Sequence, residues 1–273
     1  MDVPDDLIQI HDLPPALLED AHRQIRNFST CFVIGNALAG SGTFVRVGGV
    51  AGILTARHVW EHVVEGARAV GEIGLLIADS AFTLPVGTLV PTVNVESQSS
   101  DLGPDLEFVE LPRAKLGEIE ARKSFLNLSL NPEERLVDAE NERGLLLIAG
   151  FPENRMSVRD DVTTRRRSHV FYNLGVIVKK EAAEERGGFD YWDLDTGPSE
   201  SPKDYRGVSG GGVWKVIFAK KIGAPARDAF VSTYCLCGVA FYQKNMRGNS
   251  RSIRAHGPRS IYRAMPHILK GKA

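Results

Sequence analysis

The chain has 273 residues, 43% hydrophobic and 25% charged, which describes an ordinary soluble globular protein with room for one bulky domain or two small barrels sharing an interface. A formal net charge of −1 argues against a general role at nucleic acids or membrane surfaces. No apolar run, Leu145 to Phe151 among them, approaches the length of a membrane span.

Residues 1–29 place Ala16, Leu17, Leu18, Ala21, Ile25 and Phe28 at helical spacing behind Pro14 and Pro15, predicting an amphipathic helix that leads into the fold. The N-terminus is acidic where a signal peptide is basic and then apolar, so the expected location is the cytoplasm. The cysteines agree with that compartment: Cys31, Cys235 and Cys237 are an odd set without framework spacing. In a strand, Cys235 and Cys237 share a face and read as small core hydrophobes rather than a metal pair. The histidines His11, His22, His62, His169, His256 and His267 lack ligand spacing, so neither metal nor cofactor is expected.

From residue 30 to 111 the pattern is strand after strand: Cys31 to Ile34, Thr43 to Val47, Val50 to Leu54, Ile73 to Ala78, Gly87 to Val95 and Leu106 to Leu111. With no long helical pattern between them, these runs predict an antiparallel barrel rather than a parallel sheet. His58 follows the apolar Gly52 to Leu54 where a strand ends and a short helix begins at Val59. Asp105 opens an alternating strand with Leu106, Phe108 and Leu111 on its apolar face. Asp101 is the competing carboxylate, placed in an exposed turn before Gly103 and Pro104.

Residues 112–141 are charged and read as a helical or irregular linker. Strands resume over residues 142–258, at Leu145 to Ala149, Thr164 to Val178, Phe189 to Leu194, Gly212 to Phe218 and Val231 to Tyr242. Residues 259–273 close the chain with a helix from Ser260 to Leu269. Arg165, Arg166 and Arg167 suggest an anion patch, yet their alternation into His169 and Phe171 favours an exposed hairpin strand. Gly187 and Gly188 mark a hairpin tip.

The stretch from Tyr205 to Val216 carries the chemistry. Gly207, Gly210, Gly211 and Gly212 surround Val208 and Ser209 and run into Val213, Trp214, Lys215 and Val216. Glycines there permit a tight bend presenting a hydroxyl, and they let a substrate carbonyl approach the N–H groups of Gly207 and Ser209 as an oxyanion site. Ser199 and Ser201 are nearby hydroxyls without the glycine setting.

Read in order, Thr55-Ala56-Arg57-His58, the strand opened by Asp105, and Gly207 to Val213 resemble the Thr-Ala-x-His, Asp-Ile/Leu-Ala-Leu-Leu and Gly-x-Ser-Gly-Gly-x-Val segments of the trypsin-like serine peptidases. Weaker echoes fall in sequence at Gly42 to Val45, Gly150 to Pro152, Gly238 to Ala240 and Gly257 to Pro266. The resemblance implies an all-β fold of two six-stranded antiparallel barrels, chymotrypsin-like, with helices at both ends, and a cleft between the barrels. It implies a catalytic triad of His58, Asp105 and Ser209, with Gly207 and Ser209 as oxyanion donors. The activity implied is a hydrolase, a serine protease acting on a protein or peptide substrate, restrained by a narrow cleft or a regulatory partner protein. By the same resemblance Lys203 would floor the primary pocket, with Phe241, Tyr242 and Gln243 as its wall, favouring an acidic substrate side chain.

Two departures stand out. No basic residue followed by Ile-Val-Gly-Gly occurs near the N-terminus, and Val208 stands where activated relatives have an aspartate, so the enzyme is expected to fold directly into its working form. Gly212 replaces the proline usual after Ser-Gly-Gly. The alternatives are a binding or scaffold module that kept the barrels and lost turnover, and an esterase using the same triad.

Overall fold

The computed structural model describes residues 13–77, 80–91, 104–141, 143–161, 166–197, 205–221, 223–245 and 251–270. Helix α1 (Pro15–Arg26) starts on a proline pair whose fixed φ and missing N–H suit the first turn. It buries Ala21 and Ile25, part of the expected apolar face. Three strands follow in a meander, β1 (Ser29–Ile34), β2 (Ala37–Val47) and β3 (Val50–Thr55), with Thr43 opposite both Ser29 and Leu54. Helix α2 (Arg57–Val70) turns Val59, Trp60, Val63 and Ala67 inward and stops at Gly71, whose left-handed φ of 84° lets its N–H reach the Ala67 carbonyl.

Strands β4 (Glu72–Ile77), β5 (Ser80–Pro85), β6 (Val90–Pro91) and β7 (Glu107–Glu110) complete the path of an eight-stranded sheet ordered β5-β4-β1-β2-β3-β7-β6. That path does not close, so the sheet is a half-barrel. The charged stretch that follows carries helix α3 (Arg113–Glu120), a two-residue strand β8 (Leu126–Asn127) parallel to β2, and helix α4 (Pro132–Glu140). It is pinned by Lys123, whose buried ammonium donates to the carbonyl of Arg26, left open at the end of α1, and to that of Ser29 at the start of β1, at 3.0 and 2.7 Å.

The second half of the chain carries β9 (Leu145–Gly150), a separate two-stranded hairpin of β10 (Met156–Asp161) and β11 (Arg166–Phe171), and then β12 (Leu174–Arg186), β13 (Phe189–Asp195), β14 (Gly212–Ala219), β15 (Phe230–Asn245) and β16 (Arg251–His256). Six of these close a barrel in the order β12-β13-β16-β15-β14-β9, all antiparallel. The run Thr164 to Val178, read from sequence as one strand, is two: β11 ends at Phe171 and β12 begins at Leu174. Two residues of the arginine run fall on β11, where the register sets Arg167 opposite Asp160 and Arg166 opposite Asp161, so residues of opposite charge hold facing positions of the hairpin. The β12–β13 hairpin turns at Gly187 and Gly188, both at positive φ as its tight turn requires.

The described residues end in a π-type turn at Ser260–Ala264 and helix α5 (Met265–Lys270). One apolar cluster joins the two sheets: Val45, Leu54 and Phe108 from the first meet Leu147, Trp214 and Leu236 from the second. Ile25 from the first helix and Met265 from the last belong to the same cluster. The terminal helices thus pack against the seam between the sheets, and the seam's open edge holds the residues of interest. Cys31, Cys235 and Cys237 are buried free thiols, with the last two sulfurs 3.7 Å apart on one strand face.

Candidate active site

Asp105 lies just ahead of β7, whose Glu107 pairs with Thr55 at the end of β3. The next residues, Ala56 and Arg57, begin α2, so the carboxylate meets the start of a helix that has no side-chain cap of its own. Asp105 supplies that cap. Its Oδ1 accepts the His58 backbone N–H at 2.9 Å, and its Oδ2 lies 2.6 Å from His58 Nδ1. A carboxylate at a helix N-terminus is favoured both by the open N–H groups and by the helix dipole. The carboxylate is 4% exposed and the imidazole 43%, so one partner is fixed in the protein and the other reaches the surface. Because the carboxylate accepts at Nδ1, that nitrogen carries the hydrogen, and in the neutral ring Nε2 keeps its lone pair.

Ser209 comes from the other sheet. The turn from Tyr205 to Gly211 is built by Val208 N–H to Tyr205 carbonyl at 2.9 Å and Gly211 N–H to Val208 carbonyl at 2.8 Å. Gly210 and Gly211 pair with Ala240 of β15 at 2.7 and 2.9 Å, which ties the turn to the barrel. Gly210 must be glycine: its φ is 85°, and a Cβ there would lie 2.1 Å from the Ser41 carbonyl oxygen and 2.2 Å from Thr55 Oγ1.

The two halves are stapled at Ser41 of β2, which the sequence reading passed over. Its N–H donates to the Ser209 carbonyl at 2.9 Å, its carbonyl accepts the Thr55 hydroxyl at 2.7 Å, and its own hydroxyl donates to the Gly207 carbonyl at 2.5 Å while accepting Phe151 N–H at 2.8 Å. Thr55 stands three residues before His58. The serine turn and the helix that carries the imidazole are therefore held to one residue. A lone serine beside Gly42 in a strand carries no pattern that could announce this.

The Ser209 hydroxyl, half-buried, donates to the Phe241 carbonyl at a long 3.4 Å and makes no hydrogen bond to His58. Neither Gly207 N–H nor Ser209 N–H has an acceptor among the described residues, which leaves both donors open at the turn. Val208, next to the serine, is 3% exposed and clusters with Tyr205, Ile148 and Val213. Beside Ser209 a small cavity runs from Tyr205 and Val208 to Tyr242 and Gln243 over Ile253, with space of about 10 Å³, the room of a single water. Gln243 is half-buried and its Oε1 accepts the Tyr205 N–H at 3.1 Å, Phe241 is buried, and Tyr242 is 38% exposed. Lys203, Asp101, Ser199 and Ser201 lie outside the described residues. Among the described residues no group of histidine, cysteine and carboxylate side chains could hold a metal ion, and no helix is long and apolar enough to cross a membrane.

No protein-family model and no curated protein sequence matches the chain. Solved structures do. A serine protease expressed in the limbic system of mouse brain, neuropsin, aligns over 92% of this chain and 96% of its own with a TM-score of 0.50 and 14% identity. Human heparin binding protein aligns over 91% and 93% with the same TM-score and identity. Kallikrein-related peptidase 10 aligns over 90% and 95%, with a TM-score of 0.50 and 13% identity. With its closed six-stranded barrel, its facing half-barrel and this likeness along nearly the whole chain, the protein has the fold of the trypsin-like serine proteases.

Proposed function

We propose that the chain is a serine endopeptidase acting on protein or peptide substrates without a cofactor. Ser209 Oγ attacks the peptide carbonyl carbon while His58 Nε2 takes its proton. The tetrahedral intermediate collapses to an acyl-enzyme as His58 returns that proton to the leaving amine, and water then releases the acyl group by the same relay. Asp105 holds the imidazole in the tautomer this requires and stabilises it when protonated. The open N–H groups of Gly207 and Ser209 receive the developing oxyanion, a contribution of about 3 kcal/mol for one donor.

The observation that carries this reading is the double hold of Asp105 on His58, backbone at 2.9 Å and ring at 2.6 Å, at the end of the cleft where Ser41 anchors the serine turn. A helix cap alone needs only the first bond. The bond from Ser209 to His58 is not made here, and such bonds are often unformed in a free enzyme. The cavity beside Ser209, lined by Phe241, Tyr242 and Gln243, is the place for the substrate side chain at the cleaved bond. Lys203 keeps, as part of the proposal, a preference for acidic side chains, and a peptide-library profile dominated by Arg or Lys would refute that part. Free buried thiols without a disulfide among them support a reducing compartment such as the cytoplasm.

A second reading, a binding module without turnover, is favoured by the hydroxyl resting on the Phe241 carbonyl. A fluorophosphonate probe separates the two. The peptidase reading expects labelling of the wild type that is lost in both Ser209→Ala and His58→Ala, and a folded wild type that takes no label supports the binding module.

A further inference from the structure

The carboxylate of Asp105 faces His58, but its backbone is held from the opposite side. Asp105 N–H donates to Nε2 of His256 at 2.9 Å. His256 ends β16 and is fully buried, its ring set against Phe241, Tyr191 and Phe189 with centroids 4.9, 5.0 and 5.8 Å away. An N–H can only donate, so Nε2 is the unprotonated nitrogen and Nδ1 bears the hydrogen. That hydrogen faces Ser260 Oγ at 3.4 Å.

Ser260 is fixed in turn. Its hydroxyl donates to Asp190 Oδ1 at 2.7 Å and accepts Asp190 N–H at 3.0 Å, while its own N–H donates to the same carboxylate oxygen at 2.6 Å. Asp190 Oδ2 also accepts Arg259 N–H at 3.2 Å, so the carboxylate closes the turn that opens the final helical segment. Gly257 leaves room for it, since a Cβ there would sit 2.2 Å from Asp190 Oδ2. With one donor and two acceptors used, the hydroxyl has no freedom to reverse its bond to the ring. Burial holds His256 neutral by driving its pKa down to about 3, against the opposing pull of the Asp105 carboxylate.

We propose that His256 is a positioning residue of the proposed peptidase: anchored through Ser260 and Asp190 to the start of the last helical segment, it fixes the backbone of Asp105 and thereby the orientation of His58. The inference rests on the peptidase reading given above. A buried N–H needs only some acceptor, and a loop carbonyl would serve. A ring wedged among three aromatics and bonded at both nitrogens instead ties Asp105, in the first sheet, to the second barrel and the C-terminal segment. The same ring packs on Phe241, whose carbonyl meets Ser209, so it borders both halves of the site.

The test compares His256→Phe, which keeps an aromatic ring and loses the acceptor, with His256→Gln, whose amide oxygen can reach the Asp105 N–H. The first readout is the second-order rate of fluorophosphonate labelling. His256→Phe is expected to slow labelling about tenfold or more while remaining folded, and His256→Gln to recover most of that loss. A folded His256→Phe that labels at the wild-type rate overturns the proposal, as does His256→Gln slowed equally. The second readout needs no variant: nitrogen NMR of the unmodified protein should find His256 neutral with its proton on Nδ1. A proton on Nε2 overturns the proposal even where neither variant folds. A wild type that takes no label while His256 holds this tautomer sinks the peptidase reading instead, leaving the hydrogen bond itself intact.

Discussion

In the proposed mechanism Asp105 is the residue on which the chemistry turns, and Asp105→Asn isolates why. The amide oxygen of the substituted side chain must stay on the His58 N–H, which leaves its NH₂ facing Nδ1. The imidazole then has to accept there and carry its hydrogen on Nε2, the nitrogen needed as base. Asp105→Asn is expected to lower the labelling rate by about 10⁴-fold with the fold retained, measured with the same probe beside the wild type. Val208 gives the complementary test. Its side chain is buried among apolar neighbours, so Val208→Asp puts an unpaired charge in the core and should cost at least about 3 kcal/mol in a urea titration rather than create an activation switch. At this scale His58, Asp105 and Ser209 could be singled out as candidates because each stands in a short pattern with a mechanism, and the structure brings Asp105 onto His58. Ser41 and His256 were not, because what they do depends on partners 151 to 168 positions away in the chain, as with Asp105 and His256 or Ser41 and Ser209.

At the scale of elements, the serine turn and α2 are held in place by close backbone approaches. A methyl group at Gly210 has nowhere to go, with the Ser41 carbonyl and the Thr55 hydroxyl inside contact distance and a left-handed backbone besides. Gly210→Ala should lose about 1–3 kcal/mol from the backbone strain alone and lose labelling with it, since the clash pushes the turn away from β2. Helix α1 contributes differently. Ile25 is fully buried in the cluster that spans both sheets, and Ile25→Ala is expected to cost about 2–5 kcal/mol in the same titration. The sequence pattern located α1, the main strands and the Gly187–Gly188 hairpin, where apolar periodicity or glycine pairs carry the signal. It missed β5, β8, β10 and the barrel strand β16, and ran β11 into β12. Over Thr164 to Val178 the break falls at Tyr172 and Asn173, which lack the glycine or proline that announces most turns.

For the whole molecule, two sheets share one apolar seam and the candidate site lies across it, so stability and chemistry are linked. Acid exposes that link through buried imidazoles. His256 titrates near 6.5 in the unfolded chain and at about 3 when folded. Below about pH 6.5 the unfolded chain therefore takes up a proton that the folded chain refuses, and stability falls by about 1.4 kcal/mol per pH unit until the folded value is reached. His22, lowered mainly by burial, acts in the same direction. Urea titrations should show about 2 kcal/mol lost through His256 between pH 7 and pH 5, and a flatter dependence in His256→Phe. Two six-stranded barrels, with His, Asp and Ser in that order along the chain, were expected from the resemblance. That one sheet closes and the other stays a half-barrel depends on which edge strands pair, and no local pattern fixes that.

The most direct measurement is to treat the full-length protein, untrimmed, with a fluorophosphonate and locate the adduct by tandem mass spectrometry. The account predicts a single phosphonylated residue, Ser209. An adduct on any other residue, or a folded protein that gains its adduct only after its N-terminus is cut, would contradict it.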